Sequence, residues 1–566
     1  MKYKITLLLL FVNALITNNL DADRAEDVLE KLSLEEKIGQ LFIVPACQLR
    51  EEDHQTDLNR LVQEMHVGGI ILKQGKADGQ IALINHLQSK TKVPLLCVAD
   101  AEWGLAMRLS DTLAFPKNLT LGAVQDEGLL FLLGQEMGRQ CQRVGINVNF
   151  APVVDVNSNP KNPIIHMRSF GEDPQAVARK AVMVMQGMQN VGIFACAKHF
   201  PGHGDTAVDS HVDLPIVNSS LARLWEVELI PFQQMVENQV AAVMSAHLCL
   251  SKICPDVPAT FSSFVIEELL RKKLQFQGLV FTDALNMQAL SRYFPPEEIG
   301  IRALLAGHDL LLYGDHIAPN VDQILRHDVP EAIAGIKKAL SKGILSEETL
   351  NWHVLKILRA KEKLHLFERK EIPKLASTEE LFPERALSLK RNLYRQALTL
   401  LGNEQNLLPL SEKEVKIILS CDEGCEVFLQ NMNERFSHVT TLAKGSRVVN
   451  VNEGAIVIAG VIPETSRHFS LELLETVSCY QKMGIPVAWV VFGTPYSLEN
   501  LPLAETVILA YEAAEEAQEA AADVICGILN PAGRLPVNVP GKYTLGAGKR
   551  LQLKNGPSSV LGLSCL

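Results

Sequence analysis

FACAKHFPGHGDTAVDSHVDLP, residues 194 to 215 of a 566-residue chain, carries two textures in one stretch. Phe194–Lys198 is a short apolar run of the kind that forms a strand buried on both faces. At Lys198 the composition turns polar. Pro201, Gly202 and Gly204 forbid a continuing helix or strand, so Lys198–Pro215 is expected to be a loop. A buried strand that gives way at its C-terminal end to a long polar loop is how parallel α/β folds place their chemistry.

The same texture repeats on both sides. Leu41–Val44, Gly69–Leu72, Leu95–Ala99, Val148–Pro152, Ala242–Met244, Leu279–Asp283 and Leu310–Tyr313 are apolar runs separated by longer amphipathic stretches, the pattern of repeated βα units. Eight buried parallel strands within roughly 300 residues fit a (β/α)8 TIM-like barrel better than an open doubly wound sheet. Polar residues gather at the C-terminal ends of the runs: Asp100, Asp155, Lys198 with His199, His247 and Asp283. A satisfied core histidine or a helix cap explains any one of them as well as function does. Their shared position at one end of the barrel points to a site.

The barrel is expected over residues 25–372, followed by a linker at 373–384 that includes Pro373–Pro383. A smaller α/β sandwich domain is expected over 385–566. Its strand candidates are Val415–Ser420, Ala455–Ala459, Val487–Phe492 and Thr506–Tyr511, with a helix over Glu512–Cys526. No catalytic cluster stands out in it.

Composition narrows the partners. Sixty-five acidic against 54 basic side chains give a formal charge of -11, without the basic stripe that a phosphate backbone requires, so nucleic acid is not an expected partner. Lys2 and Lys4 precede an apolar run, Ile5–Ile16, that resembles the positive and hydrophobic parts of an export signal. It is too short to span a membrane, so residues 1–24 are expected to be a signal peptide or an apolar N-terminal helix, without stable membrane insertion. Export to the periplasm is the expectation and the cytoplasm the alternative. Of the 11 cysteines, Cys97 and Cys196 lie in strand-like runs where a small buried thiol is usual. Cys249 with Cys254, and Cys421 with Cys425, are spaced so that pairing in an oxidising compartment stays open.

Within the polar loop, Asp209 and His211 stand one residue apart, close enough for a carboxylate to hold an imidazole and stabilise its protonated form. Such a pair can carry a proton near neutral pH. His199, His203 and His211 with Asp205 or Asp209 are zinc-ligand types, but their spacing matches no compact metal motif, and no metal is expected. Asp283 is open to three roles: nucleophile, metal ligand or helix cap. A carboxylate nucleophile paired with a proton donor suits glycoside cleavage.

CVADAEWGLAMRL (97–109), MRSFGEDP (167–174), KHFPGHGDTAVDSH (198–211) and FTDALNM (281–287), in this order, resemble glycoside hydrolase family 3. The KHFPGHG loop with DSH resembles its β-N-acetylglucosaminidase branch, of the two-domain bacterial type. RQALTLLGNEQNLLPL from Arg395 and ILNPAGRLPVNVP from Ile528 resemble the borders of that family's C-terminal sandwich, so the likeness covers nearly the whole chain.

The resemblance implies a covalent glycosyl-enzyme on Asp283, with His211, oriented by Asp209, as acid and then base. It implies that Asp100, Arg168, Lys198 and His199 grip the sugar. Many members carry Gly-Gly-Arg after the acidic residue, where this chain has Glu102, Trp103, Gly104 and Leu105. Arg108 fits a later Arg of the same motif, which makes it a substrate-binding candidate beside the lining residues Glu102 and Trp103. The implied activity is a retaining exo-β-N-acetylglucosaminidase without cofactor, acting on small N-acetylglucosamine glycosides such as muropeptides. A family 3 β-glucosidase, a β-N-acetylglucosaminide phosphorylase and a non-catalytic glycan-binding protein are the rival readings. No sequence feature sets an oligomeric state.

Overall fold

The structure is a computed structural model that describes residues 24–50, 52–208, 213–314, 321–368, 370–404, 406–410, 416–442, 454–465, 468–502 and 504–552. Ile5–Ile16, where the export signal was expected, lies outside them. Among the described residues no helix is long and apolar enough to cross a membrane.

The chain divides into two compact units. One holds residues up to Phe115, Leu130–His166 and Val177–Pro383; the other holds Pro116–Leu129, Met167–Ala176 and the chain from Glu384 onward.

The first unit is the (β/α)8 barrel. Its strands are β1 Phe42–Ala46, β2 Gly69–Leu72, β3 Leu96–Ala99, β4 Val148–Asn149, β5 Phe194–Phe200, β6 Ala242–Ser245, β7 Leu279–Thr282 and β8 Leu311–Leu312. They pair in parallel in the order β8-β1-β2-β3-β4-β5-β6-β7. A parallel bridge between Phe281 and Leu310, with the Thr282 N–H donating to the Leu310 carbonyl at 3.0 Å, joins β7 back to β8. Each of the eight apolar runs is a strand. Every strand residue is buried, which is why the runs lack polar alternation: one face packs inside the barrel and the other under helices. Phe150 and Phe281 meet edge to face at 5.2 Å within the same core.

Two strand lengths differ from the reading of the runs. β4 is only two residues long because Pro152 has no N–H to give the ladder; the Val154 N–H bonds the Lys198 carbonyl instead, at 2.8 Å. β5 runs on to Phe200, with its register against β6 shifting after Lys198, and ends at Pro201.

The end of the barrel opposite the strand C-termini is held by ions. Asp309, just before β8, has no solvent exposure and accepts from Arg271 at 2.6 Å, Lys356 at 2.8 Å, the His353 ring at 3.0 Å and the Val280 N–H at 2.8 Å. Burial alone would raise its pKa; the Lys356 and Arg271 charges outweigh that and hold the carboxyl well below the usual range.

The second unit is built on a six-stranded mixed sheet: β9 Thr399–Asn403, β10 Lys416–Cys421, β11 Val439–Leu442, β12 Ala455–Val461, β13 Val487–Val491 and β14 Thr506–Leu509. The order is β9-β14-β13-β12-β10-β11, and β9 alone in this sheet runs antiparallel to its neighbour. The sequence reading identified four of these six strands. The other two, β9 and β11, gave no separate signal: β9 sits inside a motif read as a domain border, and β11 shows two exposed threonines. The expected Glu512–Cys526 helix is Glu515–Ile525, its alanines packed in a core with Phe428 and Val490.

Pro116–Leu129 and Met167–Ala176 fall within the span assigned to the barrel from sequence but group with the second unit. Glu512 accepts from the Lys117 N–H at 2.9 Å and the Thr120 hydroxyl at 2.6 Å, and the Asn538 N–H donates to Glu172 at 3.0 Å. Bonds between residues about 400 positions apart leave no trace in local sequence. Cys97 and Cys196 are fully buried. Cys249 and Cys254, and likewise Cys421 and Cys425, carry separate thiols.

Candidate active site

Residues following β2, β3, β4, β5, β6 and β7 bring polar side chains to the C-terminal mouth of the barrel. Asp100 follows β3 directly. The Asn149 side chain accepts from the Ala101 N–H at 3.0 Å and donates to the Ala101 carbonyl at 3.2 Å, fixing the backbone between Asp100 and Glu102. From β5, Lys198 reaches across, with its ammonium 2.9 Å from Asp100 and 2.8 Å from Glu102. Arg108 meets the other Asp100 oxygen at 2.7 Å. Two carboxylates and two cations thus form one buried cluster. Its groups pair with each other, so each charge is stabilised away from water. The sequence reading had Asp100, Arg108 and Lys198 as sugar contacts and Glu102 as a lining residue; the structure brings all four together.

The second cluster lies around Asp155. Its side chain is fully buried and accepts from the His199 ring Nδ1 at 2.7 Å, from the His203 N–H at 2.7 Å and from the His199 N–H at 3.2 Å. Burial pushes its pKa up, but the His199 pairing and the other bonds outweigh this and leave it lowered. The His203 ring, also buried, is pushed down to about 4, first by burial and then by the neighbouring His199. It is neutral at physiological pH, and its Nδ1 lies 2.9 Å from the Thr206 hydroxyl.

The start of the loop beyond β5 approaches its surroundings closely, which explains its glycines. Gly202 has φ +131° and sits against Glu228, while a Cβ on Gly204 would fall 1.7 Å from the Val156 carbonyl oxygen. Asn162 donates to the His203 carbonyl at 2.8 Å. Residues 209–212, with Asp209 and His211, lie outside the described residues.

Asp283 follows β7 and is half-buried. Its N–H donates to the Ser245 carbonyl at 3.1 Å, and its Oδ1 accepts from the Ala284 N–H at 2.7 Å. The next helix begins at Gln288 with Met287 as its cap residue, so Asp283 does not cap it. The Asp283 charge is felt by the Cys196 thiol, which burial raises, and by the His203 ring. The turn is braced from behind. His247 contacts the Ala284 carbonyl through Nε2 at 3.0 Å and the Thr260 hydroxyl through Nδ1 at 2.7 Å. His308, pushed down to about 3 by burial and therefore neutral, donates from Nδ1 to the Ala303 carbonyl at 2.9 Å and accepts the Ser245 hydroxyl at 2.7 Å.

Lys73 was missed by the sequence reading. It follows β2 directly and is buried; a Cβ on Gly314, after β8, would lie 3.3 Å from its Nζ. A lysine set against the end of GIIL was the available signal. Arg168 belongs to the second unit, where its carbonyl accepts from the Asn118 amide at 2.7 Å. Among the described residues no group of three or more His, Cys, Asp or Glu side chains is arranged to hold a metal ion.

Chemically, the mouth offers a carboxylate at the end of β7, donors and acceptors on β3 and β5 suited to hydroxyl recognition, and a loop leading to a histidine and an aspartate. The family model of the glycosyl hydrolase family 3 N terminal domain matches residues 33–360. The chain is 33% identical over 333 residues to beta-hexosaminidase A of Pseudoalteromonas piscicida, across 54% of this chain and 55% of that protein, so it spans about half the length of that relative. It is 26% identical over 551 residues to the beta-N-acetylglucosaminidase/beta-glucosidase of Cellulomonas fimi, across 90% and 94% of the two chains. A solved glycoside hydrolase family 3 beta-N-acetylglucosaminidase from Paenibacillus sp. str. FPU-7 superposes with a TM-score of 0.75 at 28% identity, over 90% of this chain and 99% of that one.

Proposed function

Since this chain belongs to glycosyl hydrolase family 3, we propose that it is a retaining exo-β-N-acetylglucosaminidase that removes terminal β-linked N-acetylglucosamine from peptidoglycan fragments. The observation that carries the reading is the half-buried Asp283 carboxylate at the end of β7, at the same mouth as the buried Asp100–Lys198–Arg108 cluster. The names of the hexosaminidase relatives support the acetamido sugar as substrate.

In this mechanism Asp283 attacks the anomeric carbon while His211 gives its proton to the departing glycosidic oxygen, leaving a glycosyl ester on Asp283. Water then attacks the same carbon, loses a proton to His211 and releases the Asp283 carboxylate. Asp209 holds His211 in the orientation both steps require. The Asp100–Lys198–Arg108 cluster offers charge-assisted hydrogen bonds to sugar hydroxyls, His199 offers a ring nitrogen, and Arg168 is assigned to the same task by motif. The chain is exported to the periplasm, where such fragments arise.

The test is turnover of an aryl β-N-acetylglucosaminide beside the matching aryl β-glucoside, for the wild type and for Asp283→Ala. Strong preference for the acetamido sugar and loss of turnover in a folded Asp283→Ala protein are expected. Preference for glucose would replace the reading with a β-glucosidase, and an active Asp283→Ala protein would remove the nucleophile assignment.

A further inference from the structure

Asp155, which follows β4, is a fully enclosed carboxylate. Its Oδ1 accepts the His203 N–H at 2.7 Å and the His199 N–H at 3.2 Å; its Oδ2 lies 2.7 Å from His199 Nδ1 and 3.2 Å from the same His199 N–H. An ionised carboxylate only accepts, so the proton of the Oδ2 contact sits on Nδ1. When the imidazole is neutral, Nε2 is then its acceptor.

We infer that Asp155 is a positioning residue with two tasks: it fixes His199 in the Nδ1–H form, and it pins the start of the β5 loop through the His203 backbone. This rests on the reading of His199 as a sugar contact. A ring held this way offers an acceptor to a sugar hydroxyl, where the other tautomer would offer a donor. The backbone bonds set where the loop leaves β5.

The amide of Asn, nearly the same shape, exposes the logic. Asp155→Asn keeps one oxygen, which the two backbone N–H groups require, and turns an NH2 toward the His199 ring. Nδ1 must then accept, and the ring proton moves to Nε2. Packing is conserved while the hydrogen-bond polarity of His199 inverts.

The experiment uses the full chain with 15N-labelled histidine. The His199 resonances are identified by their loss in His199→Gln, and the tautomer is read from long-range 15N–1H couplings in wild type and Asp155→Asn. Kinetics on an aryl β-N-acetylglucosaminide and thermal unfolding accompany the spectra. The wild type is expected to show Nδ1–H and the variant Nε2–H. We expect kcat/KM to be about 10- to 100-fold lower in Asp155→Asn, the size of one substrate hydrogen bond lost with its partner left unsatisfied, with a raised KM contributing. An unchanged tautomer, or a changed tautomer with wild-type kcat/KM, overturns the inference. So does a loss confined to kcat. If Asp155→Asn does not fold, the wild-type spectrum still decides, because absence of Nδ1–H on His199 contradicts the assignment. A wild type without glycosidase activity would defeat the proposed function alone, since the tautomer measurement stands apart from turnover.

Discussion

Replacing Lys198 by methionine, which keeps the length and removes the charge, tests what that ammonium contributes to the cluster at the mouth. In the wild type Lys198 lies 2.9 Å from Asp100 and 2.8 Å from Glu102, and Arg108 meets only Asp100. An intact buried ion pair roughly cancels its own desolvation, so most of the damage comes from carboxylate charge that has lost this ammonium. That damage has a ceiling, because the carboxylate can take up a proton. Neutralising a carboxyl of ordinary pKa about 4.3 requires about 3.7 kcal/mol at pH 7 and about 1 kcal/mol at pH 5. With an unfolding entropy of about 2.1 cal/mol/K per residue over residues 33–360, these become losses of about 5 °C at pH 7 and between 1 and 2 °C at pH 5. The sign follows from linkage: that carboxyl has a raised pKa in the folded variant, so the variant loses stability relative to wild type as pH rises. Thermal unfolding of both proteins at the two pH values, at equal ionic strength, gives the comparison. A gap that is the same at both pH values, or larger at pH 5, would refute the reasoning.

Asp309→Asn should destabilise the barrel by about 3–5 kcal/mol without changing the KM of folded enzyme, since it strands Arg271 and Lys356 at the end remote from the mouth. The folded pKa of Asp309 is depressed, so its contribution is present above the unfolded value near 3.9 and fades as pH falls below it; acid unfolding of wild type and variant should converge there. Lys361 is fully buried, pushed down to about 7 from 10.5 by burial, and donates to Gln40 at 2.6 Å. Lys361→Met should therefore stabilise the fold at and below pH 7, by about 5 kcal/mol less about 1–3 for the abandoned Gln40 oxygen, and the gain should vanish by pH 10.5; a variant less stable than wild type at pH 7 contradicts this. His211→Ala should lose far more activity on substrates with poor leaving groups than on activated aryl glycosides, and equal losses would count against its role as proton carrier.

The barrel was legible because its strands are buried on both faces, so continuous apolar runs mark them, and because loops carrying polar residues follow those runs at one end only. Gly69–Leu72 was placed to the residue. Where a strand lacked that signature the reading failed: β11, with two threonines exposed, went unseen. Asp100, Lys198, His199 and Asp283 were each visible as a polar residue ending an apolar run. Their partners were not, since the Asp100–Lys198 contact joins residues 98 positions apart.

By itself, then, the sequence determined the eightfold alternation, the polar residues at the C-terminal ends of the strands, and the motifs that identify the family. Periodicity and motif are local properties, written in consecutive residues. Only the tertiary structure decided that Glu102 shares Lys198 with Asp100, that Asp155 holds His199, that Lys73 is buried at the mouth, and that Pro116–Leu129 and Met167–Ala176 join the second unit. Those outcomes depend on which strand ends lie side by side once the sheet closes, and hydrogen bonds of 3 Å between distant segments have no period along the chain.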